Sequence, residues 1–172
     1  MNTAVILGDK RFAPLDPKRA DFKNRYLESL TLIERLHRRL LDVIKDDFER
    51  TGEKEVNPVQ ALLLFNISSA ELTAGELKTR GHYQGSNVSY NLKKLVEQGY
   101  VRHERSNSDK RSVRVSLTDK GNDIRARVDA LYNRQLQAIE EVVGISTDEF
   151  DRLNKALGRL ERFWTDQILY RL

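Results

Sequence analysis

The chain has 172 residues, 33% of them charged and 39% hydrophobic, with a formal net charge of +4 and a mean hydropathy of -0.61. Those values exclude a membrane-embedded protein and wholesale disorder, and the length suits one domain with appended helices. Cysteine is absent, which excludes a disulfide framework, thiolate-bound zinc and a thiol redox switch.

The apolar run near the N-terminus, Ala4 to Leu7, is too short for a signal-peptide core or a transmembrane span, so a cytoplasmic location is expected. Residues 1–21 contain Pro14 and Pro17, show no helical period and read as an extended arm. From Phe22 the apolar positions Tyr26, Leu27, Leu30, Ile33, Leu36, Leu40, Ile44 and Phe48 step by three and four. This spacing predicts a long amphipathic helix ending near Gly52. Residues 22–56 read as a dimerisation helix, because a helix of this length exceeds what a small globular domain needs.

A second helix is predicted at Asn57, with Pro58 at its first position and Gln60 placed to reach back to the cap. A third is predicted from Thr73, where Thr73 and Glu76 form a capping box and Leu72 and Leu77 a hydrophobic staple. It closes with Lys78, Arg80 and Gly81. After the turn His82-Tyr83-Gln84-Gly85, Ser86 caps a further helix running through Val88, Leu92, Leu95 and Val96 to Gly99. Two short helices joined through a glycine-containing turn make a helix-turn-helix candidate.

Two strand-like stretches follow, Tyr100 to Arg105 and Ser112 to Leu117, separated by the polar tip Ser106-Asn107-Ser108-Asp109-Lys110-Arg111. The last two predicted helices begin at Thr118 and Ser146. One carries Ile124, Val128, Leu131, Gln135, Ala138 and Val142, the other Phe150, Leu153, Leu157, Leu160, Trp164 and Ile168, both near heptad spacing. The predicted fold is mainly α, a winged helix-turn-helix with a small β-hairpin wing and long terminal dimerisation helices. Residues 57–118 form its DNA-binding domain and 119–172 its C-terminal dimerisation helices.

Charge supports this division. Residues 73–127 hold twelve Lys/Arg against six Asp/Glu, a local net of +6, which leaves -2 for the rest of the chain. A basic centre between near-neutral ends suits a nucleic-acid reader carried on helices with another task. On the helix after Ser86, each residue turns about 100°, which puts Leu92 at about 40° and Leu95 at about 340° from Val88. The opposite face is centred near Tyr90, with Asn87, Lys93 and Lys94 beside it and Ser89 and Asn91 on its flanks. In a major groove, asparagines pair with base edges, Tyr90 and Ser89 with bases or phosphate, and lysines with phosphate.

The stretch D-K-R-S-V-R-V-S-L-T-D-K-G, Asp109 to Gly121, fits the pattern D-x-R-x(5)-L-T-x-x-G and resembles the signature of the MarR (multiple antibiotic resistance regulator) family of winged helix-turn-helix transcriptional regulators. S-N-V-S-Y-N-L-K-K-L-V-E-Q-G-Y-V, from Ser86, is similar to that family's recognition helix and first wing strand. The arm departs from the common pattern, as in an alphaproteobacterial subgroup. The resemblance implies a homodimer on an inverted-repeat operator in double-stranded DNA, contacted through Ser86, Asn87, Ser89, Tyr90, Asn91, Lys93 and Lys94 and through the wing residues Asp109, Lys110 and Arg111. It also implies a pocket for a small aromatic or phenolic effector, for which Leu40, Ile44, Leu62, Phe65 and Tyr132 are the candidates.

No nucleophile elbow, phosphate loop or paired-carboxylate site is present, so no enzyme is expected. His37, His82 and His103 lack metal-ligand spacing, so neither a metal nor another cofactor is expected, and no membrane association. A helical interaction scaffold without sequence-specific DNA binding is the alternative, but it leaves the basic hairpin unexplained.

Overall fold

The computed structural model describes residues 16–67, 72–73, 85–105 and 113–170. The elements in chain order are α1 (Pro17–Thr51), α2 (Pro58–Asn66), β1 (Leu72–Thr73), α3 (Gly85–Glu97), β2 (Val101–Arg105), β3 (Val113–Leu117), α4 (Asp119–Ala138), a π-helical segment (Ile139–Val143) and α5 (Thr147–Tyr170). The chain divides into two compact units, residues 1–51 and 52–172. Among the described residues no helix is long and apolar enough to cross a membrane.

In the first unit, α1 begins at Pro17, five residues earlier than the apolar period indicates. Asp16 is the reason: its Oδ1 accepts hydrogen bonds from the backbone N–H of Lys18 and Arg19 at 3.0 and 3.1 Å. Pro17 then occupies the first helical position, where its missing N–H costs nothing. The 35 residues of α1 rise about 52 Å. Phe22, Leu27, Leu32, Ile33 and Leu36 are exposed along it, whereas Ile44 and Phe48 are buried.

The second unit is built around α2. Asn57 Oδ1 accepts from the Gln60 backbone N–H at 2.9 Å and Gln60 Oε1 accepts from the Asn57 N–H at 3.1 Å, completing the anticipated capping box. That box lets Gln60 be buried with its amide oxygen satisfied. Ala61, Leu62, Leu63, Leu64 and Ile67 join Leu92 and Leu95 of α3, Val101 and Val115 of the sheet, and Ile124, Val128 and Leu131 of α4 as the buried apolar set.

The sheet has three strands in the order β1-β3-β2, all neighbours antiparallel. Val101 pairs with Leu117, His103 with Val115 and Arg105 with Val113. The third strand is the difference from the expected two-stranded wing: Leu72 and Thr73, assigned from sequence to a helix start, pair with Val115 and Arg114. The remainder of that expected helix, with Glu76, Leu77, Lys78, Arg80 and Gly81, lies outside the described residues.

Thr118 caps α4, its Oγ1 accepting from the Gly121 N–H at 3.1 Å while donating to the Gly99 carbonyl at 2.7 Å. Gly121 is obligatory there, because a Cβ would collide with the Tyr100 carbonyl oxygen. Helix α4 passes into the π-helical segment, which stops at Gly144 with φ of 69°. Ser146 and Glu149 then form a capping box: Glu149 Oε2 accepts from the Ser146 N–H at 2.9 Å, and the Glu149 N–H donates to Ser146 Oγ at 3.3 Å. No residue of α5 is buried.

Candidate nucleic-acid interface

Helix α3 ends in a tight joint. The Tyr100 N–H donates to the Leu95 carbonyl at 2.8 Å and the Gly99 N–H to the Val96 carbonyl at 3.0 Å. This Schellman closure needs the positive φ of 76° that Gly99 supplies. The strand β2 starts two residues later, so the joint sets the angle between helix and wing. Leu92 and Leu95 face the core.

On the other side of α3, Tyr90 is 59% exposed and Ser89, Lys93 and Lys94 are exposed with it. The Lys94 ammonium stands 4.9 Å from the Tyr90 ring centroid, a cation–π distance. Hydrogen bonding to the Tyr90 side chain raises the Lys94 pKa above its ordinary value. Lys93 instead reaches Glu97, one turn on, at 3.8 Å.

Asn91 corrects the sequence reading. It is only 6% exposed and does not flank the polar face. At about 300° on the helical wheel it is only about 40° from Leu95 and falls within the buried arc. Ser86 and Asn87 stand in the first turn of α3, and their side chains lie outside what the structure describes. So do Asp109, Lys110 and Arg111 of the wing tip.

The five effector-pocket candidates divide between the units. Leu40 is partly exposed and Ile44 buried on α1. In the second unit Leu62 is buried, and the rings of Phe65 and Tyr132 meet edge to face at 5.0 Å. Burial raises the Tyr132 phenol pKa. Among the described residues no group of His, Asp and Glu is arranged to hold a metal ion.

Sequence reasoning missed a polar cluster at the wing root. Glu55 Oε2 accepts from the Tyr100 hydroxyl at 2.9 Å and from Lys120 Nζ at 2.8 Å, and Arg127 meets Glu53 at 3.5 Å. The hydrogen bond from Lys120, followed by that from Tyr100, holds the Glu55 pKa below its ordinary value. The bond to Glu55 raises that of Lys120. Burial, with the Glu55 bond second, raises the Tyr100 phenol. No local spacing marks this group, whose bonded members are 45 and 65 residues apart.

A helix with an apolar inner face and a polar, cationic outer face, followed directly by a hairpin, defines a winged-helix nucleic-acid reader. Residues 56–121 match the family described as "Winged helix DNA-binding domain". The chain is 35% identical over 150 residues to the exopolysaccharide II synthesis transcriptional activator ExpG of Rhizobium meliloti, covering 84% of this chain and 74% of the relative. Its fold is similar to that of an E. coli MarR variant complexed with operator DNA, at 23% identity and TM-score 0.62, covering 80% and 96% of the two chains. It is also similar to Staphylococcus aureus MarR in complex with salicylate and kanamycin, at 22% identity and TM-score 0.62, covering 88% and 97%. The chain belongs to the MarR family of winged-helix transcriptional regulators. That membership, rather than any missing feature, decides for a regulator over an enzyme or a scaffold.

Proposed function

We propose that this regulator acts in the cytoplasm as a homodimer on an inverted-repeat operator, with α3 of each copy in the major groove and the hairpin wing beside it. The observation that carries this reading is the outer face of α3, where Tyr90, Lys93 and Lys94 project away from buried Leu92 and Leu95. Tyr90 and Ser89 meet bases or phosphate and the lysines meet phosphate, with Ser86 and Asn87 beginning the contact row. Asp109, Lys110 and Arg111 form the wing contact, in which Arg111 enters the minor groove. Residues 57–118 are the reading domain, and 22–56 and 119–172 supply dimerisation. A small aromatic or phenolic molecule alters DNA affinity, with Leu40, Ile44, Leu62, Phe65 and Tyr132 as its candidate contacts. The exposed row Phe150, Leu153, Leu157, Trp164 and Ile168 on α5 supports the dimer.

Footprinting of the full chain on its own promoter region tests the reading. Two protected half-sites about 10 base pairs apart are expected, and direct repeats or a lone half-site would overturn the symmetric dimer. Arg111→Ala should weaken binding to every duplex and make its salt dependence shallower by about one counterion. Asn87→Ala should instead narrow the difference between operator and scrambled duplex. Salicylate is the first effector probe; operator affinity that is unchanged at millimolar salicylate and at other simple phenols would remove the effector from the proposal.

A further inference from the structure

At the root of the wing three separate segments converge: Gly52 to Glu55 before α2, Gln98 to Tyr100 between α3 and β2, and the first turns of α4. Tyr100 is buried, yet its hydroxyl emerges to donate to Glu55 Oε2. Lys120 donates to the same oxygen and stands 4.1 Å from the Tyr100 ring centroid, and its Nζ is 3.4 Å from the Gln98 carbonyl. Arg127, two turns along the same face of α4, meets Glu53. With Asp123 and Ile124 these residues line an open cavity of about 360 Å³. Inside it Glu55 is paired with Lys120 and Glu53 with Arg127, so these four groups are better explained as parts of a joint than as parts of a ligand site.

We propose that Glu55 and Lys120 are positioning residues for DNA binding, clasping Tyr100 so that the end of α3 and the start of the wing are held at one fixed angle. The inference rests on the proposed seating of α3 in the major groove. Tyr100 is the residue between Gly99, which ends α3, and Val101, which starts β2. A shift of its ring therefore tilts both reading elements. An exposed ion pair adds little to stability, so losing the clasp should leave the domain folded while loosening its aim.

The sign of the effect separates this proposal from simple electrostatics. Removing Glu55 deletes a negative charge and frees a lysine, which by counterion release alone strengthens binding to any DNA. A positioning role predicts the reverse for the operator. The measurement is binding of the full chain and its Glu55→Ala, Lys120→Met, double and Tyr100→Phe variants to operator and scrambled duplexes, with thermal unfolding as the control.

Glu55→Ala should bind operator about tenfold more weakly, while binding scrambled duplex as tightly as the parent or more so. The double variant should be no weaker on operator than Lys120→Met alone. Tyr100→Phe, which keeps the ring and removes only the shared hydrogen bond, should lose about threefold on operator even if Glu55→Ala fails to fold. Operator binding at parental strength or tighter in both Glu55→Ala and Tyr100→Phe would overturn the proposal. If the parent chain itself cannot tell operator from scrambled duplex, the seating of α3 fails instead.

Discussion

Helices α2 and α5 are both rich in apolar residues, but α2 buries Ala61, Leu62, Leu63 and Leu64 in succession while α5 buries nothing. Most of the first is inside because α3 and α4 both pack against it. The second carries a stripe, Leu153, Leu157, Trp164 and Ile168, that is open to solvent. One helix draws its stability from its own chain. The other carries a surface whose removal from water yields roughly 25 cal/mol per Å² only when something covers it. On the proposed dimer, α2 and α5 therefore depend differently on protein concentration.

The largest expected effect sharpens the α2 side. Leu64→Ala should lower the unfolding free energy by about 2–5 kcal/mol, with a denaturant midpoint shift that is the same at every protein concentration. A loss below about 1 kcal/mol would mean that α2 is not the centre of the core. Gly121→Ala comes next, since its methyl must push the Tyr100 carbonyl aside. A loss of about 1–3 kcal/mol is expected, read by chemical denaturation, and near-neutrality would show that the approach of α4 to the wing root is looser than described.

Trp164→Ala probes the other helix. On the proposed dimer it should weaken self-association by about 2 kcal/mol, measured by sedimentation over a dilution series. It should barely alter the unfolding of the diluted single chain. An unchanged dimer constant would break the contrast between the two helices.

What could be read from sequence follows the range of the interactions. The caps at Asn57, Thr118 and Ser146 were legible because each links residues three apart, and the structure forms all three. The start of α1 is also local, set by the Asp16 cap and by Pro17 as a favourable first residue, but without an apolar period Pro17 reads as part of an extended arm. Asn91 was ambiguous by angle alone, because a small polar residue at the margin of an apolar arc follows its neighbours into the core. The β1–β3 pairing and the Glu55–Tyr100–Lys120 group were not legible. Both depend on the tertiary path of the chain, and neither leaves a periodic trace.

The smallest expected effect lies at the start of α5 and depends on pH. Glu149 is depressed below its ordinary pKa, first by its hydrogen bond with Ser146 Oγ and then by the Ser146 backbone N–H. A carboxylate whose folded-state pKa is lowered stabilises the fold fully above the unfolded-state value of about 4.3. That contribution fades as pH falls through the folded-state value. The same charge also favours the positive end of the α5 dipole. Glu149→Gln keeps an oxygen that can accept the same bonds but removes the titration. Thermal midpoints of the parent and the variant, measured from pH 7 down to pH 3, should therefore differ most at neutral pH and converge toward acid. A gap of constant size across that range would show that the Glu149 charge adds nothing to its hydrogen bonds, and that α5 starts at Ser146 on geometry alone.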